Sequence, residues 1–269
     1  MSPGFEQLFI GLLGLEFGSF ANVCIYRWPR DSSIFHPRRS HCPKCRALIQ
    51  WFDNLPILSY FMLRGRCRHC RARISWRYPV VEGLLAALWV AVYRLAPRPQ
   101  GPGWVFESLL FFFCFVLVVT TFTDLDLQII PDETTLSLLV AALLASPWNP
   151  FFSDGALRHL SQSLLGAIVG SGILWLVGFL GEWFWKREAM GGGDVKLLAA
   201  YGAVLGWKGS LLVILLGSMA GGIFGVLGLV VGRLKRKQYL PFGPFLNLGG
   251  ILALAALMKA PRVLELVFG

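Results

Sequence analysis

The chain has 269 residues, of which 55% are hydrophobic and only 15% charged, with a mean hydropathy of +0.61. A folded soluble domain carries about a quarter of its residues charged, so this composition excludes one and places the bulk of the chain in lipid. The formal net charge of +10 invites a nucleic-acid reading, but no aromatic stacking platform or nucleic-acid module accompanies the basic residues, and membrane lipid is the expected partner.

The first apolar segment, 7–26, lacks a basic n-region and carries Glu16, which predicts a retained helix in place of a cleaved leader. The next segment, Arg27 to Arg77, holds twelve Lys and Arg against Asp31 and Asp53, while the rest of the chain holds thirteen of each sign. All of the net charge therefore sits in one loop, which the positive-inside rule assigns to the cytoplasm.

That loop contains CPKC (42–45) and CRHC (67–70), separated by twenty-one residues. Each knuckle offers two thiolates from a tight turn, and four soft sulfurs in tetrahedral array suit Zn²⁺, whose binding folds a loop too small for its own core. Disulfides are the competing use of these cysteines, and a reducing cytoplasm disfavours them. Cys42, Cys45, Cys67 and Cys70 are thus the predicted ligands of a structural zinc, with His41 and His69 as bystanders or substitutes. Cys24 and Cys114 lie in apolar segments and read as packing residues.

Seven further spans are expected at 78–96, 104–123, 133–147, 159–181, 194–207, 209–232 and 240–259. Residues 160–181, 209–232 and 240–258 are uncharged, each near the length of about 20 that crosses a bilayer as helix. The fourth and sixth of the eight are short, and the sixth opens on a glycine run, the pattern of a broken span beside a cavity. Counting from the basic loop puts both termini outside and puts Lys186, Arg187 and the cluster RLKRK (233–237) inside. Asp124 and Asp194 then fall at cytoplasmic ends. The expected fold is an all-α polytopic membrane protein of about eight transmembrane helices with a small cytoplasmic zinc-binding loop domain.

FTDLDLQIIPD (122–132) places Asp124, Asp126 and Asp132 at the end of an apolar run, and AMGGGDVKLLAAYG (189–202) sets Asp194 behind three glycines. The first three aspartates can simply decorate an interfacial loop, with Glu133 helping to start the next helix. That reading is weak for Asp194, since a carboxylate beside the bilayer core is costly and marks function. Two carboxylates brought within a few ångströms cannot both ionise, so one proton is shared and the pair supplies a base and an acid together. Such a pair can activate water against a peptide carbonyl and protonate the leaving amine. The sequence has no His-Glu zinc helix and no serine elbow to support another hydrolytic route.

GSFANVCIYRWPR (18–30), the double CxxC loop, FDNLPILSY (52–60), TDLDLQIIPD and GGGDVKLLAAYG occur in that order, and together the chain resembles the bacterial type IV prepilin peptidases, polytopic inner-membrane aspartyl proteases of the GxGD kind. The resemblance implies cleavage of prepilins and pseudopilins, whose short basic leader is cut at the cytoplasmic face, and methylation of the new N-terminal amine with S-adenosylmethionine. The family's GxGD motif falls on Gly191, Gly193 and Asp194. Its first catalytic aspartate falls on Asp124, six residues before Ile130, with Asp126 as the rival. Asp132 and Lys196 read as supporting positions, and the four cysteines match the family's zinc-binding loop. The implied division is a first transmembrane helix at 1–26, the zinc-binding loop at 27–77 and the membrane-embedded peptidase core at 78–269. An apparent addition around 146–159 lies outside on this topology, and no glycine-rich methyltransferase loop of Rossmann type is visible to hold S-adenosylmethionine.

Two readings of other classes compete. A transporter could use Glu16, Asp124 and Asp194 for proton coupling, but it leaves the double CxxC loop unexplained. A non-catalytic pilus assembly scaffold has no need of both motif aspartates. Gly217, Gly221 and Gly225 form a small-residue stripe that favours close helix contact, within one chain or between copies, and oligomeric state is left open by the sequence.

Overall fold

A computed structural model of the chain describes residues 3–37, 39–97, 102–152, 156–186, 190–233 and 240–259. Arg187 and residues 234–237 of the basic cluster, both placed inside by the charge argument, lie outside the described residues. Among those described the regular structure is helical, apart from isolated bridges pairing His41 with Leu48 and Arg66 with Arg73. Among the described residues five helices are long and apolar enough to cross a membrane. The chain divides into two compact units, residues 1–94 and 95–269.

The first unit contains α1 (Pro3–Arg27), the short α2 (Leu58–Met62) and α3 (Arg77–Leu95). Gly14 and Gly18 let α1 approach α3 to backbone contact, for a Cβ on either would lie 2.6 Å from Cα of Ala86 or 2.5 Å from Cα of Glu82. Asn22 Nδ2 donates to the Tyr78 carbonyl at 3.2 Å and fixes the register of that contact. At the end of α1, the Arg27 guanidinium donates to the carbonyls of Ser33, Ile34 and Pro37, each at 3.0 Å, and folds the chain into the loop that follows.

The second unit contains α4 (Gly103–Leu127), α5 (Asp132–Ala145), α6 (Ala156–Trp185), α7 (Gly192–Val230) and α8 (Gly243–Lys259). Two stretches are enclosed on every side: residues 113–120 of α4 and residues 200–206 of α7. A helix apolar all round belongs at the centre of its bundle, and these two central helices carry the two motif aspartates at their ends.

The sixth and seventh expected spans form one 39-residue helical run interrupted at Gly206, whose φ of 73° and ψ of 176° are non-helical. A straight helix of that length would extend about 58 Å, well beyond a hydrocarbon core of about 30 Å. The chain reverses instead. A Cβ on Gly202 would meet Oγ of Ser210 at 2.6 Å, whereas eight residues of straight helix separate two positions by about 12 Å. The two limbs of α7 therefore lie side by side, with Gly206 at the bend. Asn149 Nδ2 caps the first limb by donating to the Val204 carbonyl at 2.8 Å, and Phe152 covers the bend, 3.0 Å from where a Gly206 Cβ would stand. The 146–159 segment, an apparent addition in the sequence, thus begins as the lid of this turn.

Glycine also sets the α6–α7 contact. A Cβ on Gly166 would overlap the Gly202 carbonyl, and one on Gly202 would overlap the Gly166 carbonyl. Ser163 Oγ donates to the Ala203 carbonyl at 2.8 Å and Ser210 Oγ to the Gly166 carbonyl at 3.1 Å across the same seam. Small residues and interhelical hydroxyls are how helices associate where lipid gives no hydrophobic drive. The stripe Gly217, Gly221 and Gly225 packs within the chain, on Phe245 of α8 and on Leu240.

Candidate active site and metal centre

In the second unit, α4 runs four residues past the expected span end at 123, so Asp124 and Asp126 both lie in its last turn. Their directions differ. Asp124 is buried, at 6% exposure, while Asp126 is exposed, as two residues on a helix point about 200° apart. The helix stops at Gln128, in the left-handed conformation (φ 56°, ψ 40°), with its N–H returned to the Asp124 carbonyl. Such a cap satisfies the terminal carbonyls and turns the chain sharply.

Asp194 occupies the third helical position of α7, behind Gly191 as N-cap. A carboxylate in the first turn is favoured by the helix dipole, but this one is 6% exposed and its Oδ1 is buried without a hydrogen-bond partner. A buried, unsatisfied oxygen is unusual enough to require an explanation. Its charged neighbour is Asp124. Gly193 brings the start of α7 under the α4–α5 loop, where a Cβ would stand 3.0 Å from Cβ of Ile130. Lys196 Nζ donates to both oxygens of Asp132 at 2.8 Å and ties the starts of α5 and α7 together.

Three residues that the sequence reading passed over complete the surroundings of Asp124. The Gly243 backbone N–H, at the start of α8, donates to Asp124 Oδ2 at 3.0 Å. One turn further into the bundle, Asn247 Nδ2 donates to the Leu117 carbonyl at 3.1 Å and lies within hydrogen-bond distance of Thr120 Oγ1 and Thr121 Oγ1, at 3.0 and 2.7 Å. Tyr201 Oη donates to Asn247 Oδ1 at 2.6 Å. Thr120 lies four residues before Asp124, Asn247 four after Gly243, and Tyr201 seven after Asp194. Each spacing returns to the same helix face, so one buried polar node joins α4, α7 and α8 beneath the carboxylates.

The first unit holds the cysteine cluster. The sequence repeats CxxCRA at 42–47 and 67–72, and the backbone repeats with it. Cys42 N–H bonds the Ala47 carbonyl and Arg46 N–H returns to the Cys42 carbonyl; Cys67, Ala72 and Arg71 do the same. Arg46 and Arg71 both take positive φ, 58° and 57°. The four Sγ atoms lie within 4.8 Å of one another, and Cys42 Sγ to Cys70 Sγ is 3.8 Å. Zinc–sulfur bonds of about 2.3 Å in a tetrahedron put sulfurs about 3.8 Å apart, so the donor set fits a ZnS₄ centre. The Cys45 backbone N–H, with further help from that of Lys44 and from neighbouring thiols, lowers the Cys42 thiol to about 7, toward the thiolate a metal requires. Neither His41 nor His69 joins the cluster among the described residues.

The FDNLPILSY segment is fastened to this centre. Arg68, inside the second knuckle, grips Asp53 through two nitrogens at 2.6 and 2.7 Å, which holds the Asp53 carboxyl below its usual range. At the other end, buried Glu82 of α3 accepts the Ile57 N–H at 2.7 Å, pinning a β-branched residue at φ 60° and ψ −51°, a conformation such residues rarely adopt.

The comparisons with known proteins agree with one another. Residues 12–95 match the model of the bacterial peptidase A24 N-terminal domain, and residues 111–226 match that of the type IV leader peptidase family. Among curated relatives, the prepilin leader peptidase/N-methyltransferase of Aeromonas hydrophila is 38% identical over 266 residues, covering 90% of this chain and 88% of its own. Proteins of the same name from Burkholderia pseudomallei (strain 1026b) and Neisseria gonorrhoeae are 36% and 34% identical, with 93% of this chain covered in each case and 85% and 90% of theirs. No solved structure matches. Similarity at this level over nine-tenths of the chain, on a multi-pass helical chain with two buried aspartates at helix ends, places this protein in the type IV leader peptidase family.

Proposed function

We propose that the protein removes the short basic leader of type IV prepilins and pseudopilins at the cytoplasmic face of the bacterial inner membrane, and that it N-methylates the residue so exposed. The relatives carry both activities in their name. The observation that carries the peptidase half is the burial of Asp124 and Asp194 as ionisable neighbours at the ends of the two central helices. In this reading the pair holds one proton. The ionised member takes a proton from water as the water oxygen bonds to the peptide carbonyl carbon, and the protonated member donates to the carbonyl oxygen. Collapse of the tetrahedral intermediate breaks the C–N bond, and a proton from the pair goes to the leaving amine. The unpartnered Oδ1 of Asp194 is then an oxygen kept open for water or substrate.

Residues 27–77 form the zinc-binding loop and residues 78–269 the peptidase core in this proposal, with Cys42, Cys45, Cys67 and Cys70 as metal ligands. Bound zinc would supply cross-linking in place of a hydrophobic core. S-adenosylmethionine supplies the methyl group for the second reaction. Eight membrane crossings, counting the two limbs of α7 separately, keep the basic loop and both aspartates on the cytoplasmic side. The test is incubation of purified protein with a prepilin and labelled S-adenosylmethionine. Leader release and label on the mature pilin are expected; intact prepilin after prolonged incubation would overturn the proposal.

A further inference from the structure

We propose that Gly243 is the positioning residue of the aspartyl pair: its main-chain N–H and its missing side chain together hold Asp124 in the geometry that hydrolysis uses. The inference rests on Asp124 being catalytic, as argued above. Gly243 opens α8, and its amide has no intrahelical partner at that position. The amide is spent on Asp124 Oδ2 at 3.0 Å. That oxygen is thereby fixed as an acceptor, and the proton of the pair is left to the remaining oxygens.

The space is as specific as the bond. A Cβ on Gly243 would stand 2.7 Å from Asp124 Oδ2, 3.1 Å from its Cγ and 3.3 Å from its Cβ. No rotation of a long side chain relieves that contact, because Asp124 is short and both backbones belong to packed helices. An alanine here must displace the Asp124 carboxylate or tilt α8. Tilting is resisted one turn below, where Asn247 is bonded to α4 through Leu117 and Thr120 and to α7 through Tyr201. The carboxylate is what moves. Displacement of a catalytic group by about 1 Å costs on the order of 100-fold in rate.

Gly243→Ala should lower kcat for leader cleavage at least about tenfold and leave KM within about twofold, since the change displaces a carboxylate that acts in the chemical step. Gly249→Ala is the structural comparison. It lies six residues along the same helix, and its Cβ would meet the Val213 carbonyl at 2.5 Å, so it should lower thermal stability without a selective fall in kcat. Cleavage by Gly243→Ala within twofold of the parent overturns the proposal, as does an equal kcat loss in Gly249→Ala at matched stability. If Gly243→Ala does not fold, the parent protein decides: the ¹⁵N-glycine amide signal of Gly243 should shift on Asp124→Asn, and an unmoved signal overturns the bond. A fully active Asp124→Asn would instead sink the underlying assignment of Asp124, whereas an inactive Asp124→Asn with an active Gly243→Ala sinks only this inference.

Discussion

The cysteine centre and the aspartate pair solve the same problem, that of convergence, by opposite means. The four thiols are delivered by two copies of one six-residue turn, each closed by its own backbone hydrogen bonds and by an arginine at positive φ. The two carboxylates are seventy residues apart and belong to different helices of the bundle, α4 and α7, with the Gly243 amide of α8 bonded to the first. The first arrangement is local and is of the kind that a bound metal ion would lock. The second is global and is locked by packing and by one buried polar node. Damage should therefore spread differently: within the knuckle in one case, through the bundle in the other.

The sharpest test of the contrast lies at the carboxylates. Asp124→Asn and Asp194→Asn should each reduce leader cleavage by roughly 10²–10⁴-fold, the share general acid–base catalysis supplies, with helix content and thermal unfolding unchanged. Asp126→Asn, on the exposed side of the same turn, should keep most of the activity. A dead Asp126→Asn beside an active Asp124→Asn would move the first carboxylate and break the comparison at its centre.

The metal centre should fail as a unit and separately. Purified protein is expected to carry about one zinc per chain, and Cys42→Ser with Cys45→Ser should abolish it by elemental analysis. Cys67→Ser with Cys70→Ser should reduce methylation of pre-cleaved pilin more than it reduces leader cleavage. Equal losses would show that the loop supports the whole protein, and unchanged zinc in the first variant would refute the ligand set.

Packing gives a smaller and graded effect. Gly202→Ala forces a Cβ into the Gly166 carbonyl and should cost about 1–3 kcal/mol, read as a lower midpoint of thermal unfolding. Gly172→Ala on α6 meets nothing within 4 Å and should be neutral or stabilising by about 0.5–1 kcal/mol, the helix preference of alanine over glycine. Smallest of all, Lys196→Met removes an exposed ion pair to Asp132, a contact worth below about 1 kcal/mol. A severe loss of cleavage in Lys196→Met would show that the pair holds Asp194 in place beyond its stability value.

These differences also decide what a reader of the sequence can see. CxxC spacing, the basic loop and the apolar runs are local patterns, and the eight segments read from them all fall on helices. The cysteine cluster was legible for the same reason. The bend at Gly206 shows in the sequence only as the gap at Lys208 between two apolar runs, which marks the end of a span without telling a tight reversal from a longer loop. Gly243 was invisible as a partner of Asp124, since the bond that matters is made by a backbone amide 119 residues away and every main chain offers such amides. Asn247 sits in an apolar run where a lone amide side chain has many uses. The extension of α4 past residue 123 was missed because three aspartates in eleven residues read as loop, while the helix continues by turning one carboxylate inward and leaving the other outside.

The reversal at Gly206 has a consequence for biogenesis. Its φ of 73° and ψ of 176° belong to a region that is essentially closed to residues with a side chain. The 39 residues around it would otherwise read as uninterrupted helix, and the insertion machinery would meet one long segment in place of a hairpin. On the proposed topology α8 would then follow a straight segment in place of a returning one, and the amide that bonds Asp124 would be carried away from it.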